Sequence, residues 1–266
     1  MLFRKKYDLT GLTERVFECK RGDLTVRGTE YRPAGENLPI AIVSHGFMAN
    51  QETTRNYAVD LAHQGYAAYC YDFCGGSVLK NVSDGKTTDM SVLTEVQDLE
   101  AVLAYVRSLP YTDESSVLLM GCSQGGFVSA LTAAKPENAV SKLVLFYPAL
   151  CIPDDARAGK MMFAKFDPKN VPELIRCGPM KLGRQYVTDV LELDPYQAIR
   201  TYIGPVLIVH GTKDKIVALP YAQRAYETYK AAGADVTLKI IEKGKHGFFR
   251  KYAVIANEAL MAFTKL

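Results

Sequence analysis

The sequence contains no tryptophan and only four histidines in 266 residues. Acid–base chemistry near neutral pH therefore falls to very few side chains, unless a carboxylate is shifted into that range. The formal net charge is only +3. With no basic block and no interleaving of aromatic and basic residues, that excess does not point to nucleic acid. No apolar run approaches the ~20 residues needed to span a bilayer. The start, MLFRKKYDLTGL, is basic but carries no apolar core of a secretory signal, so the expectation is a cytoplasmic chain. The six cysteines (19, 70, 74, 122, 151, 177) contain no C-x-x-C pair and form no cluster with histidine, which excludes the usual zinc motifs. They are expected to be free thiols in a reducing compartment, most of them buried. Internal repeats and low-complexity segments are absent, and 23% charged residues is near the globular average, which excludes wholesale disorder.

What is present is apolar residue in quantity. At 48% hydrophobic the chain can bury a sizeable core. Its length corresponds to roughly 1.8 average domains, which also suits one large α/β domain. The first ~35 residues alternate around a turn at Arg21-Gly22-Asp23 and read as an antiparallel hairpin. Short apolar runs then alternate with helical periods. IAIVSHG, YAAYCYD, SSVLLMG, KLVLFYP, GPVLIVHG and VTLKIIE read as strands, the apolar ones buried on both faces of a parallel sheet. Residues 51–64, 91–108, 124–135, 219–232 and 250–265 read as helices; in the second, Val92, Val96, Leu99, Val102, Leu103 and Val106 share one stripe. This alternation predicts a mostly parallel central sheet with helices on both faces. The rhythm breaks once, at residues 151–200, which are rich in Pro, Gly, Asp and Lys and hold no buried-strand run. They read as an insertion, a small cap over a core made of residues 1–150 and 201–266.

Gly121-Cys122-Ser123-Gln124-Gly125-Gly126 follows a buried strand and precedes a helix, the context a G-x-S-x-G nucleophile turn requires. The turn is tight, so only small residues suit the positions two before and two after the serine; Gly121 and Gly125 stand there. Such a turn lifts the Ser123 hydroxyl to the C-terminal edge of the sheet and leaves the Gln124 N–H free to donate to an oxyanion. His45-Gly46-Phe47 ends another strand, and the Phe47 N–H is the natural second donor. His45 itself is expected to brace its turn. A general base is needed late in the chain. His246, between glycines in KGKHGF, can reach the serine, whereas His210 ends a strand and points into packing and His63 sits on a surface helix. Asp214, just past the strand GPVLIV, is the candidate acid. Asp235 begins a strand, at the wrong edge, and Asp189 and Asp194 lie in the insertion. The order Ser123, Asp214, His246 is that of α/β-hydrolases; chymotrypsin-like and subtilisin-like enzymes run in other orders.

On these residues the chain resembles the α/β-hydrolase family over nearly its full length. More narrowly it resembles the bacterial feruloyl (cinnamoyl) esterases. The resembling pieces are HGF (45–47), GCSQGG (121–126), GPVLIVHGTKD (204–214), GKHGF (244–248), and AKFDP (164–168) with KLGRQY (181–186) in the insertion. The resemblance implies an α/β-hydrolase fold whose cap covers the catalytic serine. It also implies that Asp155 and Tyr186, by their position after the nucleophile, bind the hydroxyl of a phenolic acyl group. Two departures stand out. Cys122 replaces the histidine common before the serine, and the segment Asp72-Phe73-Cys74-Gly75-Gly76-Ser77 replaces a longer Gly-rich turn. Cys74 and Cys151 also fall near this site.

The implied reaction is two-step ester hydrolysis with no metal or cofactor, on a small-molecule ester whose acyl group is a hydroxycinnamate. Neither nucleic acid nor membrane is an expected partner, and a homodimer is left open. The same triad serves generalist carboxylesterases, lipases, thioesterases and acyl-peptide hydrolases, although DDARAGK offers little of the apolar lid of a long-chain lipase. A ligand-binding protein or lyase on this scaffold would lack use for both oxyanion turns.

Overall fold

The computed structural model describes residues 7–266. Met1–Lys6, half of the stretch read above for a secretory signal, lies outside the described residues. The chain opens with the expected hairpin: β1 (Leu12–Arg21) pairs antiparallel with β2 (Leu24–Pro33) across Gly22-Asp23. There follow β3 (Leu38–Ser44), α1 (Arg55–His63), β4 (Ala67–Asp72), α2 (Val92–Arg107), β5 (Thr112–Cys122), α3 (Gln124–Ala133) and β6 (Lys142–Phe146). After residues 151–200 the alternation resumes with β11 (Val206–Gly211), α7 (Leu219–Ala231), β12 (Val236–Ile241) and α8 (Lys251–Thr264). The strands form one eight-stranded sheet in the order β1-β2-β4-β3-β5-β6-β11-β12, parallel from β4 to β12 and antiparallel at the β1-β2-β4 end. This is the α/β-hydrolase fold.

The apolar runs explain the layers. β4 and β11 are buried along their whole length, because helices cover both faces of the sheet. One face packs Val92, Leu99 and Val106 of α2, Phe127 of α3 and Ala222 and Tyr229 of α7. The other packs Tyr57 and Leu61 of α1 and Ala256 and Leu260 of α8. Full burial of such a side chain contributes about 1.5–3 kcal/mol. Helix α2 is started by Ser91, whose hydroxyl accepts from the Thr94 N–H while Thr94 accepts from the Ser91 N–H. That cap fixes which α2 residues face inward, and two of them are the carboxylates Glu95 and Asp98.

Residues 151–200 stand outside the large sheet. They form α4 (Ile152–Arg157), the short pair β7 (Lys160–Met161) and β8 (Ala164–Lys165), the pair β9 (Leu174–Cys177) and β10 (Met180–Gly183), α5 (Gln185–Thr188) and α6 (Pro195–Ile199). These antiparallel pairs go unseen in the sequence pattern because two to four residues carry too little alternation. The segment is pinned to the connection between β4 and α2. The Thr87 hydroxyl donates to the Lys181 carbonyl at 2.5 Å, and a Cβ on Gly183 would lie 2.0 Å from the Thr88 carbonyl oxygen.

Candidate active site

Parallel strands present their C-terminal ends at one edge, and the sequence-predicted residues meet there. β5 ends at Cys122, and Ser123 turns the chain into α3 with φ 55° and ψ −119°. A non-glycine residue is strained in that region, and the surroundings hold it there. A Cβ on Gly121 would lie 2.1 Å from the Gly125 carbonyl oxygen, and one on Gly125 would lie 2.2 Å from that of His45. Only glycine fits either place.

His246 bridges the other two. Its Nε2 is 3.0 Å from the Ser123 Oγ and its Nδ1 is 2.8 Å from the Asp214 Oδ2. A carboxylate accepts, so Nδ1 carries the proton and Nε2 is left to take one from the serine. Asp214 follows β11 in a turn it ties itself, its Oδ1 accepting the Ile216 and Val217 N–H groups at 2.9 and 3.0 Å. Burial raises the Asp214 pKa, but hydrogen bonds from His210, His246 and the Val217 backbone outweigh it and hold the carboxyl well below its usual range.

The turn after β3 lies against Ser123. A Cβ on Gly46 would meet the Ser123 Cβ at 3.1 Å. The Phe47 N–H donates to no acceptor among the described residues. Gln124 opens α3, so its N–H has no acceptor within the helix. His45 is fully engaged: its Nε2 accepts the Phe73 N–H at 3.1 Å, so the proton is on Nδ1, which donates to the Gly46 carbonyl at 2.8 Å. Burial pushes its pKa down to about 4, and the ring braces the turn as a neutral group.

The two cap candidates lie in different settings. Asp155 on α4 is half-buried and pairs with Lys160 at 3.0 Å. Tyr186 on α5 is buried, with its O–H donated to the Gln124 Oε1 and its ring 5.5 Å from that of Phe47. Asp189 accepts from the Ser91 hydroxyl at 2.5 Å, and Asp194 caps α6. Asp235 lies at the opposite sheet edge, where its carbonyl takes the Val206 N–H. His63 is exposed on α1, its Nε2 2.9 Å from the Asp8 carbonyl.

Three contributors escape the sequence reading. His210 is not merely packed: its Nε2 lies 2.9 Å from the Val217 carbonyl and 3.4 Å from the Asp214 Oδ2. Tyr147, at φ 39°, lays its ring 4.6 Å from the His246 ring and 4.9 Å from Phe248. Its position directly after β6, next to the nucleophile strand, is the only signal. Its hydroxyl neighbours Cys122. Glu95, the third, is buried on α2 with its Oε2 on the Gln124 amide. Burial pushes the Cys74, Cys122 and Cys151 thiols up to about 12, so none is a ready nucleophile. The short turn at 72–77 folds onto His45: a Cβ on Gly76 would lie 3.3 Å from its Cε1. A cleft of about 550 Å³ lined by Asp154, Arg157, Tyr196 and Arg224 includes none of these site residues.

Residues 35–198 match the serine aminopeptidase S33 family. The chain belongs to that family. Residues 190–262 also match the dienelactone hydrolase family. Among solved structures, Est1E from Butyrivibrio proteoclasticus with ferulic acid bound is 26% identical, with a TM-score of 0.82 over 91% of this chain and 96% of that one. The esterase Pf2001 of Pyrococcus furiosus shares the fold at 19% identity, with a TM-score of 0.69 over 97% of this chain and 95% of its own. A curated relative, the non-reducing polyketide synthase ausA of Emericella nidulans, is 25% identical over 111 residues, which are 36% of this chain and 4% of that protein. The chain is thus a member of a hydrolase family on the α/β-hydrolase fold. Among the described residues no helix is long and apolar enough to cross a membrane.

Proposed function

We propose that the protein is a serine carboxylesterase that hydrolyses hydroxycinnamate esters such as those of ferulate and p-coumarate, with residues 151–200 as its cap. The observation that carries the chemistry is the chain of hydrogen bonds from Ser123 Oγ through His246 to Asp214, beside two N–H groups with no acceptor among the described residues. In this reading His246 Nε2 takes the Ser123 proton as the Oγ bonds to the ester carbonyl carbon. The Phe47 and Gln124 N–H groups hold the oxyanion. His246 then gives its proton to the departing alcohol. Water, deprotonated by the same nitrogen, next cleaves the acyl-enzyme and frees the acid. Asp214 keeps the proton on Nδ1 and stabilises the imidazolium.

The choice of acyl group rests on the similarity to Est1E, a protein solved with ferulic acid bound, and on the chemistry of Asp155. A half-buried carboxylate suits the 4-hydroxyl of a hydroxycinnamate as an acceptor. Tyr186 is buried with its proton donated to Gln124, so this reading rests on Asp155 and not on the Tyr186 hydroxyl. The test is turnover of methyl ferulate, methyl p-coumarate, methyl cinnamate and p-nitrophenyl acetate by wild type and Asp155→Ala. The expected result is a loss of about 5–100-fold in kcat/KM for the two hydroxylated esters, with the other two nearly unmoved. A wild type without preference for the hydroxylated esters makes the protein a generalist carboxylesterase instead.

A further inference from the structure

The nucleophile turn carries a polar network that the mechanism above does not use. The Gln124 side chain, buried, is held at both ends: its Nε2 donates to the Glu95 Oε2 at 2.7 Å and lies 3.9 Å from the Met90 sulfur, and its Oε1 accepts the Tyr186 O–H. Rotating that side chain would leave a buried amide, a carboxyl and a phenol unpaired, each at a cost. The two partners come from different parts of the molecule. Glu95 lies on α2, fixed by the Ser91 cap; Tyr186 lies on α5 of the 151–200 segment. Tyr186 also sets its ring against Phe47. One residue of the segment therefore touches both residues whose N–H groups face the reacting carbonyl in the proposed reaction.

We propose that Tyr186 and Glu95 are positioning residues for the oxyanion-binding N–H groups, so that docking of the 151–200 segment on the core completes the oxyanion hole. The inference rests on the serine-esterase reading above. Its physical basis is the strain at Ser123. The peptide between Ser123 and Gln124 follows a residue at φ 55°, and such a conformation persists only where its surroundings over-determine it. Gly121 and Gly125 fix the turn from the strand side. The Gln124 side chain fixes it from the helix side, with one anchor in the core and one in the segment. Burial raises the Glu95 pKa well above its ordinary value, which favours the protonated acid, and its Oε2 accepts the Gln124 amide. Glutamine at position 95 offers the same acceptor and the same shape.

The experiment uses the full chain as wild type, Glu95→Ala, Glu95→Gln, Tyr186→Phe and Ser123→Ala. It measures kcat and KM on p-nitrophenyl acetate, methyl cinnamate and methyl ferulate, and inhibition by an aryl trifluoromethyl ketone, whose adduct with the serine places an oxyanion in the hole. Losing one oxyanion donor outright costs about 10²–10³ in kcat, and mis-aiming one should cost about 10-fold. Tyr186→Phe and Glu95→Ala are therefore expected to lower kcat about 10-fold on all three esters, acetate included, with KM moved by less than about twofold. The ketone should weaken by the same factor as kcat falls, and Glu95→Gln should recover most of the loss seen in Glu95→Ala. The proposal is overturned if Tyr186→Phe lowers turnover of the ferulate ester alone, if the losses fall in KM, or if Glu95→Gln is as impaired as Glu95→Ala. Tyr186→Phe removes a single oxygen, so it reports even if Glu95→Ala fails to fold. Wild-type turnover that does not depend on Ser123 would instead sink the serine-esterase reading itself.

Discussion

The turn that carries Ser123 and the segment that carries Tyr186 face each other, yet they are built in opposite ways. Around Ser123 three glycines, Gly46, Gly121 and Gly125, let backbone meet backbone, and every residue of α3 is buried. The 151–200 segment is made of strands two to four residues long, and it leaves Met162, Phe163 and Leu174 in solvent. It meets the rest of the protein through apolar side chains that share one buried cluster with the sheet, Ile152, Val187 and Ile199 among them, and through polar or close contacts of Thr87 with Lys181, Thr88 with Gly183 and Gln124 with Tyr186. In the proposed reading the difference suits two tasks. Bond making needs atoms held to a fraction of an ångström, which parallel strand ends and close-packed glycines provide. Choice of substrate needs a surface that varies without disturbing them, and short elements joined by loops provide that.

Substitutions test the contrast, beginning with Ser123, the proposed nucleophile. Ser123→Ala should lower kcat by ~10⁴–10⁶ while the melting temperature hardly moves, because the turn keeps its glycines and loses one half-buried hydroxyl. Hydrolysis of p-nitrophenyl acetate at the wild-type rate by this variant would remove Ser123 from the mechanism. Asp214→Asn comes next, at about 10²–10⁴ in kcat, because an amide can hold His246 in the wrong tautomer. A normal rate there would break the assignment of the acid.

Glycine substitutions sharpen the comparison in stability rather than rate. In Gly121→Ala the new methyl would overlap the Gly125 carbonyl, with no flexible side chain to yield. A loss on the order of 3 kcal/mol or more is expected by urea unfolding. Gly178, in the tight turn between β9 and β10, sits at φ 60° with only the Phe163 ring near, at 3.5 Å. Gly178→Ala should cost about 1 kcal/mol, the strain of an alanine in the left-handed region. Equal costs at the two positions would mean that the segment is as tightly determined as the core.

The same contrast governs what could be read from sequence. The strands of the core were legible because each is a run of apolar residues between turn signals, and Ser123, Asp214 and His246 because each lies just beyond a strand end. The segment gave only its composition, since its strands are too short for a period to emerge. Glu95 and Asp98 were hidden within the α2 stripe, although a carboxylate three residues after Val92 and one just before Leu99 both fall on its buried arc. The pairing of Tyr186 with Gln124 joins residues 62 apart in the chain, and no local pattern encodes such a contact.

The smallest expected effect concerns charge, and again the two regions differ. Asp98, buried in the core, accepts the Cys74 N–H at 2.8 Å and lies 2.5 Å from the Arg21 Nε. Burial lifts its pKa to about 6, against the pull of Arg21 and the Cys74 hydrogen bonds. The folded state therefore binds this proton more tightly than the unfolded one. The stability it contributes is full below pH ~4 and is lost as the pH rises through about 6. Asp154 in the segment behaves oppositely: the Arg157 hydrogen bond lowers its pKa despite some burial, so its contribution is present above the usual carboxylate range and fades only in stronger acid. Melting temperatures between pH 4.5 and 7 should thus separate the two. Asp98→Asn removes a titration within that window, so its stability relative to wild type should rise with pH, by on the order of 2 kcal/mol across the range. Asp154→Asn should give a difference from wild type that does not change with pH there. Loss of the Arg21 partner shifts the whole Asp98→Asn curve but not its slope, so the slope is the quantity to compare. A slope equal to that of wild type would show that Asp98 is ionised throughout and that the core holds it as a charged pair with Arg21.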